Sequence, residues 1–333
     1  MRKEACLYEK TDNKAVNCFL CNHNCRISES EYGICRVRKN EEGTLYSLSY
    51  ANPVACNIDP IEKKPLNHFY PGSLSYSIAG AGCNFKCGFC QNWQISQANI
   101  DEISEAEIVL PEQVVYKAKE NNCLSISYTY TEPTIFFEYA YDIAKLAKEE
   151  GLKNVFVSNG YMSLKAIDKI SPYLDAINID LKSFSREFYR RNCSACLDPV
   201  LESIKCFKKK DIWVEITTLV IPNENDSEKE LCDIAGFIAS VGSEIPWHIS
   251  RFHPDYKFLD YEPTPIETLK KAFDIAKKSG LKYVYLGNTS EGNDTYCYHC
   301  GKLLVKRSHF ISYASHIDRG SCSYCSALID GLF

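Results

Sequence analysis

The chain has no run of about 18 or more apolar residues, the length a helix needs to cross a bilayer, so no membrane association is expected. Its start, Met1–Lys10, is polar and mixed in charge. Without an apolar core there, a secretory signal is not expected, and a cytoplasmic location is. Positive charge is not in excess either: 38 Lys and Arg stand against 43 Asp and Glu, a net −5. That balance argues against a nucleic-acid binder working through backbone charge. Short basic runs such as Lys208-Lys209-Lys210 read as solvated helix ends. Low-complexity segments and a whole-chain repeat are missing too. What remains, 333 residues at 45% hydrophobic and 24% charged, fits a soluble globular protein with one large α/β domain and one or two small modules.

Cysteine is the residue in surplus, with 18. In a chain of this length without an export signal, a disulfide scaffold is disfavoured, and clustered cysteines point to metal or Fe–S ligation. Eleven fall into three groups: Cys18-x2-Cys21-x3-Cys25-x9-Cys35, Cys83-x3-Cys87-x2-Cys90 and Cys297-x2-Cys300-x21-Cys322-x2-Cys325. The other seven are scattered, apart from the pair Cys193/Cys196 just before a helical stretch, which reads as packing thiols or a redox pair.

Between the second and third groups, strand and helix signals alternate. β-rich runs lie at 76–79, 124–130, 154–158, 176–181, 213–221, 247–252 and 283–286. Phe136–Glu150 carries a 3.6-residue apolar stripe ending at Gly151, and Glu267–Ser279 another ending at Gly280. Asp226 or Ser227 is placed to cap the helix leading to Ile238. Such alternation predicts parallel strands and a partial (β/α) barrel of about six of them, with chemistry at the strands' C-terminal ends. The expected division is a Cys-rich segment over 1–75, the barrel over 76–287 and a small module over 288–333.

In the central group, a strand feeds a Gly-rich turn, Gly80-Ala-Gly82-Cys83-Asn-Phe-Lys-Cys87-Gly88-Phe89-Cys90, carrying three thiols within eight residues. A [4Fe–4S] cube normally takes four thiolates. Three leave one iron open to an outside ligand, and the glycines let the loop wrap closely. The plain alternative is a zinc loop short of one ligand, which the closed, four-coordinate habit of structural zinc disfavours.

Cys-x3-Cys-x-aromatic-Cys after the first strand of a βα series, with Phe89 in the aromatic slot, resembles the signature of radical S-adenosylmethionine (SAM) enzymes. The resemblance implies that the open iron chelates SAM. One electron then cleaves it to a 5′-deoxyadenosyl radical that abstracts hydrogen from a substrate, oxidoreductase chemistry whose electron comes from a donor such as flavodoxin or ferredoxin. It also implies SAM contacts from Gly82, from Glu132 in a motif whose two glycines are here Tyr130 and Thr131, and from Asn159, Asp180, Lys182 and His253. Each has a plainer reading: Glu132 as a helix start, Asp180 and Lys182 as a mutual pair, His253 before Pro254 as a turn former. Asp59–Pro65, Phe156–Tyr161, Glu215–Pro222 and Ser250–Tyr256 further resemble the radical SAM member of the AmmeMemoRadiSam system, similar to pyruvate formate-lyase activating enzyme. That implies companions of the Amme and Memo families and a protein or peptide substrate.

The C-terminal quartet Cys297, Cys300, Cys322 and Cys325 resembles a zinc ribbon, in which metal would supply the folding energy of a module with almost no core. The N-terminal quartet Cys18, Cys21, Cys25 and Cys35 suits zinc, or an auxiliary Fe–S cluster, with His23 as an alternative ligand. Two other functions stay open: radical chemistry on a small molecule, and a zinc-organised interaction protein with a non-catalytic barrel.

Overall fold

The computed structural model describes residues 1–98, 100 and 108–333. Its centre is an eight-stranded sheet: β1 (Ala55–Pro60), β2 (Leu74–Ala79), β3 (Ser125–Tyr128), β4 (Lys153–Ser158), β5 (Ala176–Asp180), β6 (Trp213–Val220), β7 (Trp247–Arg251) and β8 (Val284–Gly287). Each strand pairs with its neighbours in chain order, from β1 at one edge to β8 at the other. β2 to β8 are parallel, one for each β-rich run of the sequence, and β1 is antiparallel to β2. Helices fill the connections: α1 (Pro111–Glu120), α2 (Phe137–Glu149), α3 (Leu164–Ile170), α4 (Leu197–Lys209), α5 (Glu228–Val241) and α6 (Ile266–Lys278). This is the predicted partial (β/α) barrel. β5 has Ala176–Ile179 all buried, polar Asn178 included, because both faces of the sheet are covered.

Local signals worked where the backbone chemistry was explicit. Ser227, not Asp226, caps α5, its hydroxyl accepting from Glu230 N–H. The stripe at Phe136–Glu150 starts with a tighter 3₁₀ turn, Pro133–Phe136, before α2 begins. Among the described residues, no helix is long and apolar enough to cross a membrane.

Residues before β1 form two small antiparallel sheets, Lys3–Glu4/Thr44–Ser47/Arg38–Glu41 and Tyr8–Lys10/Val16–Cys18/Arg26–Ile27. Their apolar side, with Val16, Leu20, Ile27 and Val37, joins the barrel core around Ile78, Phe85 and Phe136. Buried Arg38 pairs with buried Glu138 of α2 across that boundary. The C-terminal residues form the sheet Thr295–Tyr296/Leu303–Ser308/Ile311–Ser315, and Leu304, Val305 and Ile329 pack in one small core with Tyr283 and Tyr285.

Candidate active site

The loop after β2 is pinned from several sides. Lys86 N–H donates to Cys193 O (2.9 Å), Gly88 N–H to Asn192 O (3.1 Å) and Lys257 N–H to Gly88 O (3.0 Å). Gly82 has φ +85, and a Cβ there would lie 2.8 Å from Cys35 O, so only glycine fits. The loop thiols meet donors: Phe85 N–H points at Cys83 Sγ (3.3 Å), Asn159 Nδ2 lies 3.8 Å from it, and Cys90 Sγ sits 3.2 Å from Ser96 Oγ. Sequence spacing offered no fourth sulfur nearby. The fold brings one: the buried Cys193 thiol hydrogen-bonds Cys87, which holds Cys87 well above its ordinary range together with burial. Cys196, its partner in the motif, is exposed instead.

Cys83, Cys87 and Cys90 open into a cavity of about 530 Å³ at the C-terminal ends of the strands, within the size range of small-molecule sites. Glu132, Asn159, Asp180 and Lys182 line the same cavity. Glu132 caps the Pro133–Phe136 turn, and its Oε1 accepts from Thr134 and from Ser158 Oγ (2.9 Å). Its Oε2 accepts from Asn159 N–H (2.8 Å). Burial raises its carboxyl, and these donors offset part of that. The helix-start reading and the cavity placement therefore hold together. Tyr130, in the place of a glycine, has φ +63 and keeps a glycine-like backbone there, with Asn92 Nδ2 on its carbonyl (2.8 Å). Asp180 and Lys182 do pair, at 3.0 Å. Burial pushes Lys182 down, but Asp180 and the Cys87 and Cys193 sulfurs pull it further up, and the net shift is well upward.

Two of the named residues stand apart. Gly82 faces the N-terminal segment and does not line the cavity. His253 is exposed, with Gln91 Nε2 of the rim 3.2 Å from its Nε2.

The cavity's remaining wall escaped sequence reasoning. Register places Asp180 beside Thr217 and Thr217 beside His248 on β5, β6 and β7, so the three share one interior face. His248 Nε2 lies 2.6 Å from Glu215, a fully buried carboxylate that also accepts Asn67 N–H, His68 N–H and Trp213 Nε1–H. Glu62, Asn67, Asn293 and Phe310 close that side. The available signal was polar Glu215 and His248 inside apolar strands, which becomes readable only with register.

The other two quartets differ in geometry. Cys297 and Cys325 sulfurs are 3.7 Å apart, Cys300 and Cys322 3.8 Å. Zn–S bonds of about 2.3 Å in a tetrahedron require edges of about 3.8 Å. Among the described residues, this quartet is the group of ligand atoms lying within 4.8 Å of one another. Cys18, Cys21, Cys25 and Cys35 line a second, smaller cavity.

Residues 77–235 match the family model described as the radical SAM superfamily. A Methanocaldococcus jannaschii protein named as a glycyl-radical enzyme activating enzyme is 30% identical over 215 residues, covering 63% of this chain and 77% of its own. The chain belongs to the radical SAM superfamily. An uncharacterized protein of the same archaeon is 46% identical over 333 residues, 98% of this chain and 99% of its own. Pyruvate formate-lyase 1-activating enzyme of Escherichia coli K12 is 22% identical over 61% of this chain and 89% of its own. Among solved structures, a radical SAM methyltransferase from Sphaerobacter thermophilus shares the fold at TM-score 0.52 and 14% identity, covering 71% of each chain. The radical SAM family implies a [4Fe–4S] cluster and SAM. The residues fit such a group: three thiols line one cavity, Phe85 N–H and Asn159 Nδ2 approach Cys83 Sγ, and the largely buried Lys182 brings a cation towards Cys87.

Proposed function

We propose that Cys83, Cys87 and Cys90 hold the [4Fe–4S] cluster and that Glu132, Asn159, Asp180 and Lys182 hold SAM beside it. One observation carries this reading: all seven side chains line one 530 Å³ cavity at the strand ends. When bound, the pair supplies reductive cleavage of SAM to a radical that abstracts hydrogen. The chain's own part is placement. Glu132, whose Oε2 accepts a single N–H from the chain, has room for a cationic amino group, and Lys182 for a carboxylate. Buried Phe85 and Phe89 exclude water from the thiols. Gly82 acts by letting the loop close on Cys35, and His253 from the rim.

The substrate would occupy the end walled by Glu62, Asn67, His248 and Phe310. The activating-enzyme relatives support a protein or peptide substrate, with an electron from a donor such as flavodoxin and, by the motif resemblance, companions of the Amme and Memo families. A small molecule is the second reading, supported by the cavity's size. The C-terminal quartet would hold zinc, supported by its 3.7 and 3.8 Å edges. Anaerobic reconstitution followed by dithionite and SAM tests the core of this. 5′-Deoxyadenosine and methionine should form, and an intact cluster that yields neither overturns the reading.

A further inference from the structure

We propose that the Ser96 hydroxyl sets the reduction potential of the cluster held by the Cys83–Cys90 loop, by donating a hydrogen bond to the Cys90 sulfur, and that Gln97 orients it to do so. The proposal rests on the reading of Cys90 as a cluster ligand given above.

Ser96 closes the single helical turn Trp93–Ser96 that follows the loop. The turn is braced along its length. Ser96 N–H donates to Asn92 O and Gln97 N–H to Trp93 O, each at 2.9 Å. Ile95 O accepts from Gly82 N–H at 2.9 Å, which ties the turn back to the residue before Cys83. Ser96 is only 2% exposed, and its Oγ lies 3.2 Å from Cys90 Sγ on the wall of the active cavity.

The donors present fix the direction of that bond. A Gln side-chain nitrogen donates and does not accept. Gln97 Nε2 lies 3.2 Å from Ser96 Oγ and 3.3 Å from Phe85 O, so its two protons serve those two oxygens. Ser96 Oγ therefore accepts from Gln97, and its own proton is left for Cys90. A metal-bound thiolate has lost its proton and can only accept, which gives the same direction from the other side. Gln97 and Ser96 thus form a bridge from Phe85 O to Cys90 Sγ, with both ends in the thiol loop.

The consequence for an electron follows from charge. One-electron reduction makes the thiolate sulfurs more negative, and a hydrogen bond to them stabilises the reduced state more than the oxidised one. The potential rises. The balance is one electron from a low-potential donor, which is oxidised by one electron, while the proton stays on Ser96. Burial strengthens the effect, because the bond lies in a low local dielectric. Cys83 has donors too, but they are the Phe85 backbone N–H and the amide of Asn159, a proposed SAM contact. Ser96 is a side-chain donor that substitution removes without touching the SAM residues.

The test is a redox titration followed by electron paramagnetic resonance, on the full chain reconstituted anaerobically and without SAM. Ser96→Ala should shift the one-electron equilibrium about tenfold toward the oxidised state, a potential about 59 mV lower. Ser96→Thr keeps the hydroxyl and should stay close to the unaltered chain. Gln97→Met frees the hydroxyl to rotate and should fall between them. A Ser96→Ala protein with the iron content and the potential of the unaltered chain overturns the proposal. So does Ser96→Thr shifted as far as Ser96→Ala, which would make Ser96 a packing residue. If Ser96→Ala holds too little iron to titrate, Gln97→Met decides, since it leaves Ser96 in place; an unchanged potential there also overturns the proposal. Failure of the loop reading shows separately, as an unaltered chain that takes up no cluster iron, and this proposal falls with it.

Discussion

At the residue scale, the distribution of sulfur decides the chemistry. Cys87→Ala is expected to lose the iron of its loop and all SAM cleavage, while Cys322→Ala keeps both and loses zinc; metal analysis of the two proteins checks this. Equal loss of iron in both would contradict the division between the sites. His68 shows the same scale acting on stability. Burial lowers it to about 4, and the neutral ring is satisfied on both sides, with Nδ1–H donating to Asp330 O and Nε2 accepting from Tyr285 OH, each at 2.6 Å. Between pH 6.5 and 4 the unfolded chain takes up a proton that the folded chain refuses. Stability is therefore full above about 6.5 and falls with pH through that window, by an amount on the order of 3 kcal/mol. Urea titrations should show this limb flattened in His68→Gln; an unchanged slope would assign it elsewhere.

At the element scale, strand ends carry the site and the turns after them aim it. Glu132 follows β3, Asn159 follows β4, Asp180 ends β5, and the Cys83 loop follows β2. The strands are held in register by their ladders, so these groups are preorganised without needing loop order of their own. A tight point is the approach of the N-terminal segment to the loop at Gly82. Gly82→Ala combines a strained φ with a clash on Cys35 O and should cost on the order of 2 kcal/mol. Thermal melts and iron content should fall together, because the same displacement moves Cys83. A destabilised protein with full iron would show that the loop tolerates the shift.

At the scale of the whole molecule, the far wall of the cavity is an interface between distant parts of the chain. Buried Arg307 donates to Asn67 O (2.8 Å), Thr295 Oγ1 (2.7 Å) and Asn293 O (3.0 Å), and lies 3.6 Å from buried Glu62. The last residues add to this, with Tyr70 N–H on Leu332 O and His68 against Asp330. Removing the cation leaves Glu62 buried without its partner, so Arg307→Met should destabilise by about 3–5 kcal/mol. Proteolysis should then release the C-terminal module before the barrel unfolds. Simultaneous loss of both would mean that module and barrel unfold as one unit.

Several features of this protein were determined by the sequence itself: the alternation that builds the barrel, the caps such as Ser227, and the three short thiol spacings. Each is a local pattern, read within one turn, one strand or one loop. Glu132, Asn159, Asp180 and Lys182 were named from a motif resemblance, and the fold brings all four to the cavity beside the Cys83 loop. Tertiary structure decided the rest. Cys193 meets Cys87, and His248 meets Glu215 and Thr217, only through loop packing and strand register, which join residues far apart in the chain. The 3.7 and 3.8 Å approaches that close the C-terminal quartet are likewise a property of folding. Spacing in sequence bounds which thiols can meet; the packing around them sets how closely, and so which metal chemistry they suit.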